Sequence, residues 1–308
     1  MLLIRGTFRL AHLEENRNID GITSPPTTSP NSKQTRSSCT GSGSANGNKT
    51  ILVVSFLGAV SGVYGTLLVM TTSAPRVIGM LGGMSWESSA EYYRLANELV
   101  RERLGGLHSA RIVLSSVDFA DIEALQVAGR WDEAGQVLAE AAKALEAAGA
   151  ELLVICTNTM HRVAGQVQAA IDIPLLHLGD ATAQAVTRAG LVRVGLLGTA
   201  FTMEQDFYRD RLTSHGLQVL IPPPDDRSEI HRIIYDELCL GVIREESRQV
   251  YRDVIVRLVE SGAEGVVLGC TEIELLISDT DSSVPVFPTT RLHVEAAVAA
   301  SLTTRGSV

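Results

Sequence analysis

The stretch VICTNTMH, Val154 to His161, sets a thiol and two hydroxyls side by side, next to a carboxamide and an imidazole. A second stretch, GVVLGCTE, Gly265 to Glu272, ends in a thiol, a hydroxyl and a carboxylate. Groups of these kinds take and give protons or attack electrophilic carbon. A thiol titrates near 8.5, and a helix N-terminus or a neighbouring cation lowers that value enough for proton transfer at neutral pH, whereas a threonine hydroxyl is a far weaker acid. A cysteine in an apolar run is more often a small buried core residue. The elements that position these groups must decide between the two readings.

From Arg76 onward, short apolar runs alternate with amphipathic helices: RVIGML, ARIVLSSV, ELLVICT, IPLLHL, VRVGLLGT, GVVLGCT and VPVFPT. Apolar strands separated by helices indicate parallel sheets built from βαβ units, so the fold class is α/β. An internal repeat divides it. IGMLGG from Ile78 matches VGLLGT from Val194, GAELLVICTN from Gly149 matches GAEGVVLGCT from Gly262, and IPLLHL from Ile173 matches VPVFPT from Val284. The offsets of 116, 113 and 111 residues are nearly constant, which predicts two pseudo-symmetric α/β halves, residues 75–190 and 191–303.

Aligning the halves at Gly149 and Gly262 puts Thr157 opposite Cys270, Asn158 opposite Thr271 and Thr159 opposite Glu272. Ligands of open parallel sheets gather beyond the carboxyl ends of the strands. Two such ends facing across a cleft would present Thr157 and Cys270 from opposite sides of one ligand. Cys156, one residue earlier, points to the other face of its strand. The repeat therefore predicts an asymmetric proton-transfer site with Cys270 as the stronger member. His161 and His177 follow strands and are read first as structural hydrogen bonders, with catalysis as the alternative. The glycines of GMLGGMS fit neither GxGxxG nor a P-loop; they predict a tight turn and a close backbone approach to a small anion.

Composition narrows the function further. The formal net charge of -9 and the absence of a basic stripe exclude a nucleic-acid partner. The four cysteines stand far apart with no metal-ligand spacing, which predicts no disulfide framework, no metal and a reducing, cytoplasmic compartment. Beyond residue 50 the only lysine is Lys143. It sits opposite the apolar stripe Trp131, Ala134, Leu138, Ala141, Leu145 and Ala148 of one helix, so a pyridoxal Schiff base is not expected. Residues 20–50 are poor in apolar surface and rich in Ser, Thr, Gly, Asn and Pro, and residues 1–50 are expected to be a disordered extension. Residues 51–70, ILVVSFLGAVSGVYGTLLVM, carry no charge. Their length suits a membrane anchor, which would place the protein at a membrane; the favoured reading is an extension ahead of a start at Met70.

Together IGMLGGMSWESSAEYYRLAN, RLGGLHSARIVLSSVDFADIE, CTNTMH, LLGTAFTMEQDFYRDRL and GCTEIE resemble the aspartate/glutamate racemase superfamily from about Arg76 to Leu302. They are most similar to its broad-specificity amino-acid racemase branch, which carries Thr where aspartate racemases carry the first Cys. The resemblance implies two α/β domains with the active site between them, racemisation of amino acids without pyridoxal phosphate or another cofactor, a role in D-amino acid metabolism, and a homodimer. It implies Thr157 and Cys270 as the catalytic acid/base pair. Asn158, Thr159, Thr271 and Glu272 would hold the substrate's α-carboxylate and ammonium, and Met84 and Gln126 would line the pocket. Where aspartate racemases bind a side-chain carboxylate with Arg, this chain has VDFADIEALQVAGR, whose only Arg is Arg130. A second cationic position falls in DDRSEIHR, where Glu229 stands and Arg227 or Arg232 would have to substitute. A broad amino-acid range follows. The alternatives are a thiol-dependent decarboxylase or cis-trans isomerase of the same superfamily, and a catalytically silent amino-acid-binding protein.

Overall fold

The structure is a computed structural model that describes Val53–Ser55, Thr66–Leu68 and residues 74–303. The expected disordered extension, residues 1–50, lies outside the described residues. Within the apolar segment, β1 (Val53–Ser55) and β2 (Thr66–Leu68) pair antiparallel, Val53 opposite Leu68. The anchor reading calls for a helix there; among the described residues no helix is long and apolar enough to cross a membrane.

Two parallel sheets carry the rest of the chain. β3 (Ile78–Gly82), β4 (Ile112–Ser116) and β5 (Leu152–Ile155) form the first, in the order β4-β3-β5. β6 (Arg193–Gly198), β7 (Gln218–Leu220), β8 (Gly265–Gly269) and β9 (Val286–Pro288) form the second, in the order β7-β6-β8-β9. Every residue of β3, β5 and β8 is buried, which is why these strands read as unbroken apolar runs. The edge strand β7 is not among the predicted runs: it is three residues long and exposes Gln218, too short for a periodicity to register.

The predicted strand at IPLLHL is not one. Leu153 and Leu175 make a single parallel bridge. Leu153 N–H donates to Pro174 O and Leu176 N–H to Leu153 O. Pro174 has no N–H to extend the ladder, and α4 (Leu178–Arg188) begins three residues after the bridge.

Helices α1 (Trp86–Leu104), α2 (Phe119–Val127) and α3 (Trp131–Ala147) precede α4; α5 (Pro224–Asp236) and α6 (Thr289–Leu302) follow it. On α3, Ala134, Leu138, Ala142 and Leu145 are buried. The stripe does not reach Ala148, because the helix ends at Ala147 and Gly149 turns the chain at φ +94. Lys143 lies on the exposed side, 2.7 Å from Glu140.

Two helices are exchanged between the halves. Leu178, Ala183 and Val186 of α4 belong to the core built around β6 and β8. Val294, Ala297 and Val298 of α6 belong to the core that covers Ile78, Met80, Leu152, Val154 and Cys156 of the first sheet, together with Tyr92, Leu95 and Leu99 of α1. Arg76 N–H donates to Ser301 O at 2.8 Å, joining the start of the first half to the end of α6. Each half is thus completed by a helix that follows the other half's strands in sequence.

Candidate active site

Beyond the ends of β5 and β8, Thr157 and Cys270 line one cavity, with Met84, Phe119, Gln126, Thr159, Thr199, Ile234, Tyr235, Cys239 and Glu272 around them. Its free volume is about 20 Å³, room for about one water. Phe119 of α2 and Tyr235 of α5 stack with ring centroids 6.3 Å apart, closing it with one aromatic ring from each half.

The two strand ends are environments of different kinds. Cys270 Sγ donates to Glu272 Oε2 at 2.8 Å, and Ser85 Oγ donates to Glu272 Oε1 at 2.5 Å. Burial first, and then the Glu272 carboxylate and Cys239, push the Cys270 thiol well above its ordinary value. This reverses the sequence expectation of a thiol lowered by a helix dipole or a cation: the group nearest the sulfur is an anion, and desolvation disfavours the thiolate. Glu272 was expected to hold substrate, yet both of its oxygens are engaged by protein donors.

Thr157 is half-buried and its carbonyl is fixed by His161, whose Nδ1 lies 2.8 Å from it. Leu178 N–H donates to His161 Nε2 at 3.2 Å. Since Nε2 accepts, the proton of the neutral ring sits on Nδ1 and is donated to Thr157 O. His293 takes the opposite tautomer: Nε2 donates to Leu176 O at 2.8 Å, and Nδ1 accepts from Tyr92 Oη at 2.9 Å. The rings of His161, His177 and His293 meet edge to face, with centroids 4.7 and 5.6 Å from that of His161. Burial, and then His177, lower His161 to about 3; burial, and then His161, lower His293 to about 3; burial, and then Arg211, lower His177 to about 4. His177 caps α4 by accepting from Gly179 N–H. All three rings are held in hydrogen bonds to the backbone or to a side chain, and none of them lines the cavity.

Asn158 and Thr271 do not line the cavity; they sit behind it in bonds that join the halves. Thr289 Oγ1 gives its one proton to Leu268 O, so Asn158 donates through Nδ2 to Thr289 and its Oδ1 is a buried acceptor without a partner. The Thr271 hydroxyl meets Ser88 at 2.8 Å and Thr290 at 2.9 Å. Thr159 lies 3.1 Å from Thr199 across the two halves. Gln126, 3% exposed, has Nε2 3.0 Å from the Met160 sulfur and leaves Oε1 unpartnered. Cys156 is fully buried behind the strand, its thiol pushed up by burial.

The glycine turn is there, but the expected anion cradle is altered. Gly83 has φ +92, and an added Cβ would sit 2.1 Å from Val117 O, so only glycine fits. Its N–H is already donated to Ser89 Oγ at 2.8 Å. The cationic candidates are all engaged elsewhere: Arg130 pairs with Glu133, Arg227 with Glu204 at 2.9 Å, and Arg232 with Glu229 at 2.8 Å. None of them lines the cavity.

Phe119, Thr199, Ile234, Tyr235 and Cys239 were not singled out from the sequence. Thr199 had a signal: at the 116-residue offset it is the counterpart of Gly83. Ile234, Tyr235 and Cys239 had none, because the route of α5 across the cavity is a matter of tertiary packing. Among the described residues no group of three or more His, Cys, Asp or Glu side chains is placed to hold a metal ion.

The fold is that of a known class. Residues 81–297 match the model of the Asp/Glu/Hydantoin racemase family, and the chain belongs to that family. A crystal structure of a presumptive Asp/Glu racemase from Yersinia pestis is 53% identical, covers 74% of this chain and all of its own, and superposes with a TM-score of 0.70. An aspartate racemase homologue from Pyrococcus horikoshii is 34% identical over 74% of this chain and all of its own, with a TM-score of 0.66. The broad specificity amino-acid racemase RacX of Bacillus subtilis is 21% identical over 159 residues, half of this chain and 66% of that one.

Proposed function

We propose that this protein racemises free amino acids over a broad side-chain range, without pyridoxal phosphate, by removing the Cα proton on one face and returning a proton on the other. The observation that carries this reading is that Thr157 and Cys270, equivalent residues of the repeat, line the same buried cavity. Family membership and the likeness to RacX support it. The absence of Lys and Arg from the cavity lining favours a broad range over strict recognition of a second carboxylate.

At Cys270 the thiol passes its proton to Glu272, to which it is already bonded, and the thiolate takes the Cα proton. Thr157, directly or through a water, delivers its proton to the opposite face, and Glu272 then returns the proton it took from Cys270 to the Thr157 oxygen through water, which restores the resting site; in the reverse direction Glu272 takes the Thr157 proton by the same route and Cys270 delivers its own. As the proton leaves, negative charge moves onto the α-carboxylate, and donors fixed in advance stabilise that change. The Thr159 and Thr199 hydroxyls at the cavity wall supply such donors, and the unpartnered Gln126 Oε1 accepts from the ammonium. An amino acid enters when the Phe119–Tyr235 cover parts, and reclosure excludes water.

To test the reading, each of the twenty amino acids is incubated as a single enantiomer in D₂O, and Cα deuterium and chirality are followed. Deuterium uptake with loss of optical purity for several amino acids is expected. A protein that exchanges no Cα proton in any of them is not a racemase of these compounds.

A further inference from the structure

Four residues beyond each proton-transfer residue stands a polar side chain that makes the same kind of connection. His161 follows Thr157 and Glu274 follows Cys270, and the 113-residue offset makes them counterparts. In both turns the same backbone bond recurs, His161 N–H to Asn158 O at 3.1 Å and Glu274 N–H to Thr271 O at 3.1 Å. Each side chain then accepts from the first turn of the next long helix: His161 Nε2 from Leu178 N–H of α4 at 3.2 Å, and Glu274 Oε1 from Thr290 N–H of α6 at 2.7 Å. First-turn N–H groups have no partner inside their own helix, so such a bond fixes where the helix starts. Those two helices are the exchanged ones. α4 packs on the second sheet and α6 on the first, so each bond ties the strand end of one half to a helix seated on the other.

We propose that His161 and Glu274 are a matched pair of positioning residues that set the separation of Thr157 and Cys270 across the cavity. This rests on the racemase reading of the site. The pair is unequal. His161 has a second arm, Nδ1–H to Thr157 O, and so holds the proton-transfer residue itself; the Cys270 carbonyl instead accepts from Ile273 N–H at 3.2 Å. Neither side chain lines the cavity. Their effect passes through geometry, where a misplacement near 1 Å costs up to about 100-fold in rate.

The experiment compares His161→Leu and Glu274→Leu with His161→Gln and Glu274→Gln in the full chain. Gln keeps an acceptor for the helix N–H and, at position 161, a donor for Thr157. The Leu variants should lose 10-fold to about 100-fold in kcat, and the Gln variants should recover most of it. The distinguishing readout is the isotope effect with Cα-deuterated substrate of each hand. Slowing one of two successive proton transfers unmasks the isotope effect for the enantiomer deprotonated in that step and masks it for the other. His161→Leu should therefore raise the effect for one enantiomer and lower it for its mirror image, and Glu274→Leu should do the reverse. Isotope effects that stay constant in both variants, or move alike for both enantiomers, would make the two residues merely structural and overturn the proposal. A second measurement needs no variant: imidazole nitrogen NMR near pH 7 should show His161 neutral with its proton on Nδ1, and a ring protonated on Nε2 would overturn it too. Wild-type protein that exchanges no amino acid would count first against the racemase reading and would remove this inference with it.

Discussion

The two halves hold equivalent strand ends in opposite electrostatic settings. At the end of β5, Thr157 faces the cavity with its carbonyl fixed by a neutral imidazole inside a cluster of three buried histidines. At the end of β8, Cys270 is bonded to a carboxylate, and a second carboxyl, Glu274, caps the helix beyond. One backbone repeat therefore carries a weak acid beside bases that resist protonation and a stronger acid beside its own proton acceptor. A gene-duplication-like symmetry in the backbone does not require symmetry in the chemistry. The side chains at positions one, three and five of each turn decide which end takes the proton readily.

The comparison breaks most sharply at Cys270. Cys270→Ala should lower Cα exchange on the order of 10³-fold, since one positioned acid/base group is worth about 10² to 10⁴. Thr157→Ala should cost less, about 10²-fold, and Thr157→Cys, which makes the two ends alike, should retain more activity than Thr157→Ala; steady-state racemisation rates rank the three. Glu272→Gln should lower the rate about 10-fold or more and change the pH–rate profile, because the amide cannot take the thiol's proton.

Stability should answer to pH with opposite signs for the histidine cluster and for Glu274. His161, His177 and His293 have folded values of about 3 to 4, below the usual 6.5 of an unfolded chain, so the stability they allow is present above pH 6.5 and is lost as pH falls towards 3. Burial holds the Glu274 carboxyl up at about 8, above its unfolded value, so its contribution is lost as pH rises from the unfolded carboxyl range through 8. Thermal melts should show Tm falling on both sides of neutrality. Glu274→Gln should flatten the alkaline arm and His161→Gln the acid one. The smallest effect on turnover belongs to Cys156→Ala, which should leave kcat within about threefold and cost about 1–2 kcal/mol of stability, as removal of a buried core side chain.

Much of this site is legible in the chain itself. Apolar runs buried on both faces marked β3, β5 and β8, and the repeat placed Thr157 against Cys270 and sent Cys156 to the core. What the repeat cannot show is how helices cross over it. The exchange of α4 and α6, the closure by Phe119 and Tyr235, and the turning of Asn158 and Thr271 into bonds between the halves all depend on packing between segments far apart in sequence. IPLLHL reads as a strand because its side chains are apolar, while its ladder fails at Pro174, a backbone property. The direction of the Cys270 shift is not legible in the chain, because it comes first from burial and then from Glu272, two positions away, turning back onto the sulfur.

The central claim is that two unlike groups serve opposite faces of one carbon. Its most direct test is early-time analysis of a single enantiomer turning over in D₂O. The product of inverted configuration should carry solvent deuterium at Cα while the unreacted substrate keeps its protium. Deuterium entering recovered substrate and product at equal rates would show one group serving both faces, and would contradict the account.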